Sequence, residues 1–539
     1  MTGRAMAVYD YIVVGAGSAG CVLANRLSAG GRHTVCLLEA GPPDRSPWIH
    51  LPIGYGKTMF HPVLNWGFYT DPDPGMLGRR IYWPRGRTLG GSSSINGLIY
   101  VRGQRQDYDE WAGQGNPGWS WEECLPYFRK LECNDLGPGP TRGTEGPVHA
   151  SSIRARHPLI EAFIEAAQGT FGLPRRDDFN TGDNEGVGYY QLSTHRGLRC
   201  SAARAYLKPA RGRANLHIRT GVLATRVVFE GSRAAAVEIL ADGRRQTLAA
   251  RREVLLCAGA IQSPQLLQLS GIGPAGLLRG LDIPVRVDAP GVGANLQDHL
   301  QFRLMWQVAR PITTNDQLRT LAGRARIGLQ WALTRSGPLA VGINQGALFG
   351  RALAESTRPD VQFHVATLSA DMAGGAVHDF PGCTLSVCQL RPRSRGTVRI
   401  TSSDPRQAPA IQPNYLSDEL DRRTAVAGVR YARRLAAARP LADLLVREHR
   451  PGAPADSDED ILHFCREHGA TIFHPSGTAR MGPQEDPLAV VDARLRVRGV
   501  QGLRVVDCSI MPTLVSGNTN IPVMMIAEKA ADLILADAA

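Results

Sequence analysis

Cysteine is scarce in this chain. Ten cysteines among 539 residues stand singly from Cys21 to Cys508, with no C-x-x-C pair. Several, such as Cys36 and Cys257, lie in apolar runs, as small buried hydrophobes of a reducing compartment do. A disulfide framework is excluded. Long hydrophobic runs are missing too, so no segment is expected to span a bilayer. The stretch before the first apolar strand lacks the apolar core of a secretory signal, which points to a cytoplasmic protein. Acidic residues are outnumbered: the formal charge is +12 and the pI is about 9.4. The excess arginines are scattered and no basic-aromatic module accompanies them, which excludes nucleic-acid binding. Weak attraction to an anionic membrane surface stays compatible with the charge. Repeats and low-complexity tracts are absent. His463, Cys465 and His468 have helical offsets of two and five and do not share one face, so no metal site is expected there.

What is present is material for a large core. Apolar residues make up 43% and charged residues 20% of the chain, and the length fits two to four interleaved units. Near the start stands Tyr11-Ile-Val-Val-Gly15-Ala-Gly17-Ser18-Ala19-Gly20, then the helix-like Cys21-Val-Leu-Ala-Asn-Arg-Leu27 and a second apolar run ending in Glu39. Strand, G-x-G-x-x-G turn, helix, strand and acid form a dinucleotide-binding pattern. Gly15 permits the sharp turn, Gly17 lets backbone approach a pyrophosphate, and Gly20 lets the helix pack close to the sheet. The helix N-terminus aims free N–H groups at phosphate. Glu39 can accept hydrogen bonds from ribose hydroxyls. The pattern leaves NAD and FAD both open.

Farther on, Gly86-Arg-Thr-Leu-Gly90-Gly91-Ser92-Ser-Ser-Ile95-Asn96-Gly97 offers close backbone approach and small donors, suited to a flat cofactor. Residues 158–170 read as an amphipathic helix. Four strands are expected at 216–219, 225–229, 236–240 and 253–256. A helix through Ser263 follows Cys257-Ala258-Gly259, with Pro264 in its first turn. The alternating runs 361–365, 384–388 and 396–400 predict an antiparallel sheet. Helices are expected at 425–438, at 457–468 with capping-box spacing of Ser457 and Asp460, and at 523–536. Residues 503–507 read as a strand ending in Asp507.

Two late stretches carry chemistry: His474-Pro-Ser-Gly-Thr478 and Ser516-Gly-Asn518-Thr519-Asn520. His474 precedes a proline, which biases it to extended backbone among small polar residues. There a histidine can act as a general acid or base near neutral pH, although a His before Pro is, taken alone, more often structural. Asp298 beside His299 reads as capping or loop fixing. Ser18 has Ala16 where a nucleophile elbow needs glycine, so serine-hydrolase chemistry is not expected.

Together these separated motifs resemble one family, the glucose–methanol–choline (GMC) flavin oxidoreductases. The matching segments are residues 15–20 with Glu39, 86–96, 259–273, 295–299, 474–478 and 517–520. The resemblance spans residues 10–533. Asn65-Trp66 and Val101-Arg-Gly103 are similar to the choline-dehydrogenase-like and primary-alcohol dehydrogenase branch. The resemblance implies an α/β fold: a Rossmann-like FAD-binding domain (residues 8–155, 197–300 and 484–537) interleaved with an α+β substrate-binding domain built on an antiparallel sheet (156–196 and 301–483). It also implies FAD as the cofactor. The expected FAD contacts begin with Gly15, Gly17, Ser18, Ala19, Gly20, Glu39 and Ala40. A second group is Trp66, Arg87, Leu89, Gly90, Gly91, Ser92, Asn96 and Gly97. A third is Ala224, Ala258 and Gly259, and the last Asp507, Cys508, Asn518 and Thr519. His474 is the implied active-site base with Asn518 as partner. Where some relatives attach flavin through a histidine, this chain has Ile95, so FAD is expected to be non-covalent.

The implied activity is oxidation of a primary alcohol to an aldehyde. His474 takes the hydroxyl proton and Asn518 supports the developing alkoxide while hydride passes to flavin N5. Electrons then go to a quinone-type acceptor or oxygen. Some relatives are hydroxynitrile lyases, and that non-redox activity is the alternative. Phe473 could wall an apolar pocket over the flavin. No carboxylate or aromatic cage for a choline cation is identifiable in the sequence.

Overall fold

The computed structural model describes residues 7–372, 375–453 and 455–538. The glycine pattern opens the first unit. Strand β1 (Val8–Val14) runs into helix α1 (Ser18–Ser28), which returns to β2 (Val35–Glu39). β1 lies between β2 and the strand Arg244–Leu256 and is parallel to both, with Val14 opposite Leu38 and Leu256. Leu216–Thr220 extends the parallel set beyond β2, and Leu503–Val505 extends it beyond Arg244–Leu256. Antiparallel Val222–Glu230 and Arg233–Ala241 complete a seven-stranded sheet. The carboxyl ends of the central parallel strands thus reach one edge together, the place where doubly wound sheets bind ligands.

Gly20 is required by the packing of α1: a Cβ there would lie 1.8 Å from the Gly15 carbonyl oxygen. On its other side α1 meets the C-terminal helix Asn520–Asp537. Arg26 pairs with Glu528 and, at 2.6 Å, with Asp532.

The second sheet has eight strands. From one edge they are Leu445–Arg450, Leu300–Val308, Gly382–Gln389, Val361–Ala366, Asn344–Gly350, Gly186–Tyr189 and Arg175–Arg176, with Ala470–Thr471 beside the start of Leu300–Val308. All pairs are antiparallel except Gly186–Tyr189 with Arg175–Arg176, which is parallel. The alternation separates two faces. Phe363, Val365, Leu385 and Val387 join the apolar core with the helices Pro158–Phe171 and Glu419–Ala436. Gln362, His364 and Ser386 point the opposite way, toward the site.

The structure corrects several local expectations. Thr397–Arg399 pairs only with Ala410–Gln412, outside the large sheet. The Gln268 side chain takes its other edge, donating to the Val398 carbonyl at 3.0 Å and accepting from Ile400 N at 2.8 Å. Pro264 lies inside the helix Gly259–Leu269, not in its first turn. Proline lacks the N–H that would meet the carbonyl of Ala260, and Thr478 Oγ1 donates to that carbonyl instead, at 2.7 Å. The helix expected from residue 425 begins at Glu419, capped by Asp418. The last helix begins at Asn520, three residues earlier than expected. Among the described residues no helix is long and apolar enough to cross a membrane.

Candidate active site

A cavity of about 980 Å³ runs between the two sheets. At one end it is walled by Gly15, Gly17, Ser18 and Ala19 of the turn and by Glu39 and Ala40. Glu39 accepts hydrogen bonds from Ala16 N at 3.1 Å and Gly41 N at 2.8 Å. Burial pushes its carboxyl up to about 7, leaving it suited to share protons with hydroxyls. The N-terminus of α1 has no side-chain cap, so its first N–H groups stay available to an anion. Ser18 Oγ donates to Asn520 Oδ1 at 2.7 Å, which joins the turn to the last helix.

The middle of the cavity is walled by Trp66, Gly91, Ser92, Asn96 and Gly97 on one side and by Ala224, Ala258 and Gly259 on the other. A Cβ on Gly91 would lie 2.7 Å from Gly17 Cα, so the two glycine segments touch backbone to backbone. A Cβ on Gly259 would meet no protein atom within 4 Å; it would project into the open cradle. Asp507 closes this end, accepting from Gly259 N at 2.8 Å and from Ser509 N at 2.8 Å. These features fit a long dinucleotide lying on backbone.

Four of the expected contacts do not reach the cavity. Gly20 lies beneath the turn. Arg87 lies 4.8 Å over the Trp66 ring. Leu89 is buried in the core. Gly90 donates its N–H to the Ala16 carbonyl at 2.8 Å. All four stand behind the wall, and of the Gly-Gly pair Gly91 alone faces the cavity.

Cys508, His474, Asn518 and Thr519 line the far end. Phe473, also in this wall, has φ of 72°, a strained value for a bulky residue. The strain is held on both sides. Phe473 N donates to Thr471 Oγ1 at 2.7 Å, Arg85 donates to the Phe473 carbonyl at 2.6 Å, and His474 N donates to Asp298 Oδ1 at 2.7 Å. Asp298 therefore does fix a loop, but the loop is that of His474. Tyr415 donates to its other oxygen.

The hydrogen bonds settle which nitrogen of His474 is basic. His299 Nε2 faces the Leu390 carbonyl at 2.9 Å, and His299 Nδ1 faces His474 Nδ1 at 2.9 Å. A carbonyl only accepts, so His299 carries its proton on Nε2. Burial lowers His299 to about 4, so the ring is neutral and its Nδ1 is a lone pair. His474 must then donate from Nδ1. Its Nε2 is left as a lone pair, 3.2 Å from Asn518 Nδ2. His474 is itself held well below the ordinary imidazole value by burial, reinforced by His299, His364 and Arg85.

Asn518 is oriented by a second chain of bonds. Tyr190 donates to the Phe363 carbonyl at 2.7 Å, Gln362 Nε2 donates to Tyr190 at 2.8 Å, and Gln362 also donates to Asn518 Oδ1 at 3.2 Å. The amide group of Asn518 is thereby turned toward His474. Sequence reasoning missed the roles of His299, Gln362 and Tyr190. Its available signals were the 295–299 motif and a polar residue at the site-facing parity of an apolar strand.

A dinucleotide cradle at the strand ends, with a neutral imidazole and an oriented amide at its far end, suits a flavin-dependent oxidoreductase. The chain belongs to the GMC oxidoreductase family, whose N-terminal model matches residues 9–301 and whose C-terminal model matches 392–527. It is an FAD-dependent alcohol oxidoreductase. Among its relatives is the mitochondrial choline dehydrogenase of Mus musculus, 44% identical over 533 residues, covering 98% of this chain and 89% of that one. An oxygen-dependent choline dehydrogenase of Photobacterium profundum is 44% identical, covering 98% of this chain and 93% of the other. Of solved structures, pyridoxine 4-oxidase from Mesorbium loti is 33% identical with a TM-score of 0.88, covering 97% of this chain and 98% of that one. A formate oxidase is 26% identical with a TM-score of 0.92, covering 99% of both chains.

Proposed function

We propose that the enzyme oxidises a primary alcohol to an aldehyde, with His474 Nε2 as the base. The observation that carries this reading is the His299–His474–Asn518 chain, which leaves one neutral, unprotonated nitrogen aimed into the cavity. Bound FAD supplies a hydride acceptor at N5. The protein's part is to move and hold a proton. An alcohol carbon is a poor hydride donor while its oxygen stays protonated. His474 Nε2 takes that proton, and Asn518 Nδ2 donates to the oxygen as charge develops on it. Gln362 keeps the amide in that orientation.

Residues 8–155, 197–300 and 484–537 would form the FAD-binding unit and 156–196 with 301–483 the substrate unit. The glycines at 15, 17, 91 and 259, with Glu39, would hold the dinucleotide. Ile95 lines the cavity and its hydrocarbon side chain cannot bond to flavin, which supports non-covalent FAD; acid precipitation should release the yellow colour to the supernatant. Electrons would leave to a quinone-type acceptor or oxygen. Ten unpaired cysteines favour a cytoplasmic location. The comparisons lend no support to a hydroxynitrile lyase.

The test is anaerobic reduction of the holoenzyme by alcohol. Wild type should bleach. His474→Ala should keep its yellow cofactor but reduce on the order of 10²–10⁴-fold more slowly. Near-normal reduction in that variant would remove His474 from the role.

A further inference from the structure

The cavity wall above the His474 end carries a cation without a partner. Arg303 is the fifth residue after Asp298 on the strand Leu300–Val308, and it lines the cavity with Gln301. It stands opposite Ser386, which stands opposite His364, and both also line the cavity. Among the described residues its guanidinium makes no hydrogen bond or ion pair. The charged or ionisable groups that act on it are Tyr55, Arg450 and Asp371, and burial lowers its pKa. Asp371, the one carboxylate among them, is already paired with Arg450 at 2.6 Å. The acids elsewhere in the wall are Glu39, Asp71 and Asp507. Glu39 and Asp507 are bound by backbone N–H groups, and Asp71 is not among the groups acting on Arg303.

The same wall disfavours a cation. Lys57, Arg80 and Arg85 line it too. One face each of Trp48 and Trp66 is already taken, by Lys57 at 4.1 Å and Arg87 at 4.8 Å. Leu339, Ile343, Leu368 and Met372 give an apolar surface alongside.

We infer that the preferred alcohol carries a carboxylate at the end away from its hydroxyl, and that Arg303 binds it. The inference rests on the alcohol-oxidising reading and names its substrate class. A single guanidinium fork matches the single charge and planar geometry of a carboxylate. His299, Gln301 and Arg303 alternate along one strand face, which puts Arg303 on the order of 10 Å from the histidine pair, the reach of a medium-chain hydroxy acid.

The test compares ω-hydroxyhexanoate, its methyl ester and choline on the holoenzyme. The acid should exceed the ester by about tenfold or more in kcat/KM, mostly through KM, with choline the poorest. Arg303→Gln should bring the acid-to-ester ratio close to one, and Arg303→Lys should keep part of it. Choline outperforming the acid, or an unchanged ratio in Arg303→Gln, overturns the inference. Hexanoate, which has no hydroxyl, gives a readout without turnover: it should perturb the visible spectrum of the oxidised holoenzyme, and more weakly in Arg303→Gln. If no alcohol of any charge reduces the enzyme, the alcohol-oxidising reading fails, while the hexanoate titration still decides Arg303.

A separate observation concerns the surface beside this mouth. The helix Leu321–Thr334 buries only Ile327. Leu321, Leu333 and Leu329 are exposed by 82%, 74% and 60%. Helical spacing puts them with Ala325 and Ala332 on one stripe. By the same spacing Arg324 flanks it on one side and Arg326 on the other. Leu318, just before this helix, lines the cavity. We propose that the stripe docks on an anionic lipid surface. A second copy of the chain fits poorly, because a two-fold contact would set arginine against arginine. Holoenzyme should sediment with phosphatidylcholine vesicles containing phosphatidylglycerol and much less with phosphatidylcholine alone. The double change Leu329→Glu and Leu333→Glu should abolish this while FAD content stays normal. Equal binding by that variant, or a concentration-dependent dimer that it dissociates, would overturn the proposal.

Discussion

At the scale of single residues, the protonation of His474 is defined by what its neighbours forbid. His299 cannot accept at Nε2, so His474 cannot carry its proton on Nε2. The pH consequence follows in sign. His474 is held below the ordinary 6.5, so it is already unprotonated at neutral pH, and in the proposed role acid would remove the base. The kcat/KM for alcohol should be flat above about 6.5 and fall on the acid side, with its inflection below that value. His299 adds a stability effect. Its folded value is near 4 against an ordinary 6.5, so below 6.5 the unfolded chain takes up a proton the folded chain does not. Its contribution is full above 6.5 and is lost as pH falls toward 4. His299→Ala should weaken catalysis by the value of one buried hydrogen bond, about 1–3 kcal/mol. It should also shift the acid limb of the pH profile, which stopped-flow reduction would record.

At the scale of elements, two junctions decide whether the scaffold presents the site. One is the helix Gly259–Leu269, where Thr478 supplies the donor that Pro264 removed from Ala260. Thr478→Val leaves that carbonyl unpaired in the interior and should cost about 1–3 kcal/mol in urea unfolding. Adding Pro264→Ala restores an N–H and should recover part of the loss. The other junction is the contact of the two glycine segments. Gly91→Ala would place a methyl 2.7 Å from Gly17 Cα at φ of 52°, a conformation L residues resist. The purified variant should carry little or no flavin by visible absorbance.

At the scale of the molecule, legibility in the sequence tracked locality. The turn at residues 15–20, the strand alternation and the capping box of Ser457 depend on neighbours along the chain and could be read. His474 and Asn518 were found as motifs, 44 positions apart. What could not be read are contacts made only by folding. The His299–His474 bond spans 175 positions and Thr478 reaches Ala260 across 218. Arg303 was invisible as a site residue because strand parity puts it in the wall only after the second sheet is assembled. Similarly, the 396–400 segment had the right alternation but lost its sheet edge to Gln268, 132 positions from Ile400.

The hydrogen bond from Ser18 to Asn520 joins positions 502 apart. On the ribosome, the glycine turn emerges 502 positions ahead of its partner. His474, the strand Leu503–Val505 and the helix Asn520–Asp537 also arrive late. The cradle therefore cannot close around FAD until those segments have been made, and cofactor capture waits on their synthesis. FAD held by the closed cradle should stabilise that form by mass action. Stripped enzyme should melt at a lower temperature than holoenzyme, and loss of residues 520–537 should leave a chain that no excess of FAD can rescue.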